Sequence, residues 1–248
     1  VLRRLHNHQW STVSALCPVK QGPRGLAFDS DNRPYLLYNE WANVGHGSAS
    51  RQTFVYRADA NGEEWTKADD FDSTTSNGNG LFAAGSNIFS FGGVHEDEGF
   101  NWIVRGIDAQ TQTASKRDEI LSMVLGMNEA TAMTSDSHGN LYVGGTFQTH
   151  IGYVWRIRKS TDGGKTFSTY AEIEAPSEER PRISARAVEE AGRDYIASAL
   201  SNPTAEWTVA RVRLKEKIEM LDRFSLGQGQ PAVPTSLKLL PDGGVVVA

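Results

Sequence analysis

Short runs of β-branched and aromatic residues recur along the chain, each behind a cluster of Gly, Asn or Asp. They are DNRPYLLYN (31–39), SNIFSFGG (86–93), GNLYVGGT (139–146), GRDYIASA (192–199) and DGGVVVA (242–248). Turn residues followed by a short apolar run mark a strand leaving a hairpin. The runs begin at Tyr35, Ile88, Leu141, Tyr195 and Val245, at spacings of 53, 53, 54 and 50 residues. A fixed spacing of this size identifies a repeat, so fold and boundaries are read from its register.

Two more columns keep the same period. TFVYRAD (53–59), NWIVRGID (101–108), YVWRIRKS (153–160) and WTVARVR (207–213) set apolar residues beside Arg57, Arg105, Arg156 or Arg158, and Arg211. EEWTKADDF, TASKRDEIL, KTFSTYAEI and IEMLDRF follow them after another turn. Each period thus carries four short strands, A to D, the pattern of a β-propeller blade. The strand-C arginines are expected to hold carboxylates of neighbouring blades rather than a substrate.

The ends complete the scheme. Residues 1–16 align with strands C and D, with Trp10 at the place of Trp65, and 235–248 align with strands A and B. The expected fold is all-β, a five-bladed propeller of four-stranded antiparallel blades, closed by pairing the N-terminal C and D strands with the C-terminal A and B strands. Closure would remove two exposed sheet edges, and a piece of a six- to eight-bladed ring, with those edges bare, is the alternative. The expected blades are 17–71, 72–122, 123–175 and 176–231, with the fifth built from 1–16 and 232–248. Two segments, 115–127 and 214–224, have helical apolar spacing and good helix formers. The repeat register assigns both to strand D and the connection beyond it.

Composition narrows the function classes. The 248 residues are 39% hydrophobic and 22% charged, enough for a large core. The net charge of −5 and the lack of a basic stripe argue against a nucleic-acid partner. No apolar run reaches membrane-spanning length. Cys17 is the one cysteine, so neither an intrachain disulfide nor a thiolate metal cluster is expected. The chain begins at Val1, which reads as a processed chain or a piece of a longer polypeptide.

The octad Ser160-Thr161-Asp162-Gly163-Gly164-Lys165-Thr166-Phe167 stands at the turn from strand C to strand D. Asp162 can accept backbone N–H groups of its own turn, and the glycines can adopt positive φ. The octad closely resembles the Asp-box, or bacterial neuraminidase repeat, at Ser160, Asp162, Gly164, Thr166 and Phe167. The other copies are worn: Ala58 to Trp65 keeps Gly62 and the aromatic but has Ala60 at the place of the Asp, and IDAQTQTAS keeps less. The resemblance implies a structural turn on the face away from the ligand site, in secreted or surface proteins of Gram-negative bacteria. It does not extend to sialidase activity: the Phe-Arg-Ile-Pro motif is absent, and Arg182-Ile183 is followed by Ser184.

In a propeller the B–C loops and D–A connections share the other face, and ligands are expected there or in the channel. By register the B–C loops are 39–52, 92–101, 146–152 and 200–207. Trp41, Phe147 and Trp207 could stack on sugar rings, with Asn202, His95, His150, Glu96 and Asp97 as polar neighbours. Trp102 and Trp155 are expected in the core, and Trp10 and Trp65 in the structural aromatic column. His95-Glu96-Asp97-Glu98 is the densest polar cluster, and Glu96, Asp97 and Glu98 are weak candidates for Ca²⁺. Adjacent residues of an extended loop alternate in direction, so no metal or other cofactor is assigned. Glu40, Glu96 and Glu206 would be the carboxylates of an inverting glycosidase, if they face one cavity. The expected function is non-catalytic, lectin-like recognition of a glycan or protein partner outside the cytoplasm. A glycoside hydrolase and a purely structural module of a larger surface protein or assembly are the alternatives.

Overall fold

The computed structural model describes residues 2–6, 8–14, 23–43, 49–71, 75–96, 99–122, 126–150, 152–174, 181–188, 193–200, 206–213, 219–225, 237–239 and 245–247. All the regular structure among them is β. Strands β1 (Leu2–His6) and β2 (Gln9–Ser14) form a two-stranded sheet. The first complete blade is β3 (Pro23–Phe28), β4 (Pro34–Asn43), β5 (Ala49–Ala58) and β6 (Trp65–Asp70), hydrogen-bonded in that order. Next come β7 (Ser76–Ala84), β8 (Asn87–Glu96), β9 (Gly99–Asp108) and β10 (Ala114–Ile120), with the short β11 (Gly126–Met127) parallel to β9. The third is β12 (Glu129–Ser135), β13 (Leu141–Thr149), β14 (Gly152–Ser160) and β15 (Ser168–Glu174). The fourth is β16 (Pro181–Val188), β17 (Arg193–Leu200), β18 (Glu206–Arg213) and β19 (Glu219–Ser225). Strands β20 (Leu237–Leu239) and β21 (Val245–Val247) form a last two-stranded sheet.

This is the propeller architecture expected from the repeat. The two segments with helical spacing are strands where described, in β10 and β19, because the ladder with strand C satisfies their backbone groups. The period is also written into the hydrogen bonding. In the four four-stranded blades strand A shifts register against B at one place: Pro23/Gly25, Gly78/Gly80, Ala130/Ala132 and Arg182/Ala185. Strand C shifts against D at Val55/Tyr56, Ile157/Arg158 and Val209/Ala210. A bulge adds local twist, and its recurrence gives successive blades the same shape.

The chain forms two compact units, Val1–Glu96 with Val104–Lys116, and Asp97–Ile103 with Arg117–Ala248. In the first, strand A of one blade lies beside strand A of the next, β3 beside β7. A Cβ at Gly25 would stand 2.7 Å from the Leu81 nitrogen, so only glycine fits this approach. Tyr35, Leu37, Val55, Ile88 and Ile107 are fully buried there. In the second unit β12 neighbours β16, and β16 neighbours β20. Trp102 and Trp155 are fully buried there, as expected. Gly145 admits the Trp102 ring, since a Cβ on it would lie 2.6 Å from that ring and 1.8 Å from the Glu129 carbonyl.

Carboxylates close the turns at one end of the blades. In the A–B turns Asp29 accepts N–H bonds from Asp31 and Arg33, and Asp136 from His138 and Asn140. The C–D turn of the octad is the fullest case. Asp162 Oδ1 accepts from the Lys165 and Thr166 nitrogens, both 3.0 Å, and Oδ2 from Thr166 Oγ1 at 2.6 Å. Ser160 Oγ accepts from the Gly164 nitrogen at 2.9 Å. Hydrogen bonds from the Thr166 hydroxyl, the Thr166 N–H and Ser160 hold the Asp162 carboxyl well below the usual carboxylate range. The worn copies keep this device through a neighbouring residue. Asp59 accepts from the Glu63 and Glu64 nitrogens, so the carboxylate missing at Ala60 is supplied one position earlier. Asp108 does the same for Gln110 and Thr111.

Candidate functional site

Within a blade the A–B and C–D turns lie at one end of the strands and the B–C hairpin at the other. Strands β4 and β5 continue almost to the tip of their hairpin, and their alternation lays out a column of side chains on one face. The cross-strand pairs on that face run Leu37 with Val55, Asn39 with Thr53, then Trp41 with Arg51. The column grades from an apolar pair in the core, through neutral polar groups, to an aromatic and a cation at the rim. Residues alternate along a strand, so Glu40 and its partner Gln52 belong to the opposite face.

The middle layer is satisfied by the start of β7. Thr53 Oγ1 donates to Asn39 Oδ1 at 2.8 Å, and the Gly78 nitrogen donates to Thr53 Oγ1 at 2.7 Å and Asn39 Oδ1 at 3.0 Å. Asn39 Nδ2 donates to the Gly78 carbonyl at 3.1 Å and to Asn77 Oδ1 at 3.2 Å. The Thr53 nitrogen donates to Ser76 Oγ at 2.8 Å. Asn39, Thr53 and Ser76 are all buried, and a satisfied buried network of this kind fixes its members rigidly. Glycine is required at 78, where a Cβ would stand 2.5 Å from Thr53 Cγ2.

The rim rests on this layer. Arg51 Nη1 donates to Asn77 Oδ1 at 2.7 Å, and the guanidinium carbon lies 5.0 Å from the centroid of the Trp41 ring. Asn77 Nδ2 reaches Asn79 Oδ1 at 3.3 Å. Arg51 Nε is covered yet has no hydrogen-bond partner. Trp41 itself is 51% exposed, a large aromatic surface held in water by a cation and an amide behind it. Such a surface can stack on a flat apolar face, while the amides and guanidinium supply directed hydrogen bonds at its edge.

The other sequence candidates fall differently. The B–C loops are shorter than expected, because β4, β5, β8, β9, β13 and β14 extend toward the hairpin tips. His95 and Glu96 are exposed at the end of β8, while Asp97 and Glu98 lie outside the described residues. Phe147 is buried, at 2%, under the Arg156 guanidinium 3.6 Å from its centroid, so its ring offers no open face. Arg156 is held in turn by Glu172 at 2.6 Å. His150 is exposed at the turn between β13 and β14, and Asn202 lies outside the described residues. Trp207 lies in β18, where it pairs with Phe224 of β19. Glu40 and Glu96 belong to one unit, and Glu206, which begins β18, to the other. Among the described residues no three His, Cys, Asp or Glu side chains are grouped to hold a metal ion.

Sequence reasoning singled out Trp41 and missed Arg51, Asn77, Asn39 and Thr53. The signal that finds them is the hairpin register: once β4 is extended to Asn43, Trp41 and Arg51 must face each other.

No protein-family model and no curated protein matches the chain. Solved structures do. A protein of unknown function from Dyadobacter fermentans is similar at 13% identity and a TM-score of 0.55, over 83% of this chain and 66% of that one. The chain therefore spans just under two thirds of that relative's length. An α-L-arabinanase of Penicillium chrysogenum, in complex with arabinobiose, is similar at 10% identity and a TM-score of 0.59, over 90% and 73%. An α-L-arabinofuranosidase of Fusarium graminearum, also with arabinobiose, gives 11%, 0.55, 90% and 73%. At such identities the likeness is one of fold, the β-propeller. No helix among the described residues is long and apolar enough to cross a membrane.

Proposed function

We propose that this protein recognises a glycan on the B–C face of its blades, with Trp41 as the stacking platform. The observation that carries the reading is the exposed Trp41 indole backed by Arg51, which Asn77 fixes in place. Sugar rings present flat C–H faces and hydroxyl edges, and this rim offers an aromatic surface beside amide and guanidinium donors. Two propellers similar in fold hold arabinobiose in their structures, which supports the reading as analogy. Recognition without catalysis is proposed because the platform faces away from Glu40, the carboxylate beside it in the sequence. The binding is proposed to occur outside the cytoplasm, following the Asp-box resemblance.

A glycan array probed with the full chain and with Trp41→Ala tests this. Loss of binding in the variant, with an unchanged melting curve, is expected. Equal binding by both proteins would move the site elsewhere, and hydrolysis of a bound glycan would show that the protein is an enzyme.

A further inference from the structure

We infer that the glycan bound at Trp41 is anionic, with a sugar carboxylate accepted by Arg51; this rests on the recognition reading above. The inference comes from comparing Arg51 with four described arginines that sit in ion pairs. Arg105 makes two bonds to Asp69, and Arg158 makes two to Asp118. Arg33 is paired with Asp29 and Asp31, and Arg156 with Glu172. Arg51 has instead one neutral amide oxygen, from Asn77, and the face of Trp41. Among the described residues no carboxylate lies within ion-pair distance of it.

The rest of the cluster does not neutralise the charge either. Asn39, Thr53, Ser76, Asn77 and Asn79 are neutral, and hydrogen bonds join Asn39, Thr53 and Ser76 to one another, to Asn77 and to Gly78. A guanidinium fork suits a planar carboxylate better than any neutral acceptor. Here Nη1 is engaged, and Nε is covered and without a partner. The chain carries a net charge of −5, so an uncompensated cation at a rim beside an exposed indole is a local departure from its surroundings. A pyranose stacked at the indole would carry a C6 carboxylate at its ring edge, at the level of a cation beside the indole. Stacking and the ion pair would then be made by one sugar residue.

The test is calorimetric titration of the full chain with three probes: trigalacturonate, its carboxyl-reduced neutral form, and a sulfated neutral trisaccharide. Wild type is expected to bind trigalacturonate at least about tenfold more tightly than the reduced form. Added salt is expected to narrow that preference. Arg51→Gln should abolish that preference, and Arg51→Lys should keep part of it. Equal affinity for the acidic and reduced forms, lost from both in Trp41→Ala, would overturn the anionic inference and leave the recognition reading intact. Arg51-dependent binding of the sulfated probe alone would overturn the carboxylate assignment. Binding of none of the three probes, or binding indifferent to Trp41→Ala, would overturn the site itself.

Discussion

Arg105 donates from Nε and Nη2, each at 2.8 Å, to the two oxygens of Asp69, and so joins strand C of one blade to strand D of the blade before it. Asp118 and Arg158 repeat the arrangement one blade on. Both carboxylates are nearly inaccessible, with side-chain exposures of 4% and 5%. Burial pushes the Asp69 carboxyl up, and the guanidinium opposes it.

Breaking one side of this pair leaves a buried charge uncompensated. Arg105→Met is expected to cost about 3 kcal/mol, and the double replacement Asp69→Leu with Arg105→Met distinctly less. Urea denaturation of the two proteins checks this. A double variant as unstable as the single one would show that packing of the arginine stem, not charge, holds the seam.

The same rung reads along the register. Asp69 and Ala171 pair with the strand-C residue just before the bulge, and Arg158 and Ala210 are the residues just after it. Where strand D has Ala171, strand C of the following blade has Ala210, so acid and base are lost together.

Gly145 sits under the Trp102 ring and against the Glu129 carbonyl. Gly145→Ala is expected to cost about 2 kcal/mol, since the Cβ must displace backbone. Gly139, at φ 78° with open space around it, should cost about 1 kcal/mol on the same change, from conformation alone. Melting curves of the two variants, ranked in that order, test the packing account. The reverse order would contradict it.

Asp162 makes an acid-dependent contribution. Its folded pKa lies below the ordinary 3.8, so the stability it adds is fully present above that value. That stability is lost as pH falls through the lower folded value. The stability difference between wild type and Asp162→Asn should therefore be constant near neutrality and shrink in strong acid. A difference that grows in acid would contradict the hydrogen-bond account. Glycan binding should be the same in both proteins.

The period was legible because turn chemistry is local: Asp, Asn and Gly must stand where the chain reverses, whatever the packing. The same locality made the octad readable as a turn. It also misled at the worn copies, where a carboxylate one position away, at Asp59, closes the turn by accepting backbone N–H groups. Strand D was legible only against the repeat, since the propensity of 115–127 favours a helix and the ladder overrides it. The site was half legible. Trp41 stood out as an aromatic in a polar stretch, but its cation partner is ten residues away and meets it only through the hairpin register. Phe147 carried the same sequence signal and is buried, because Arg156 lies over it.

The most direct measurement follows the six tryptophan indole N–H resonances during titration of the full chain with trigalacturonate. The Trp41 resonance, assigned by its absence in Trp41→Ala, is expected to shift and saturate with the binding isotherm while those of Trp102 and Trp155 stay in place. A ligand that binds with the Trp41 resonance unmoved would contradict the account.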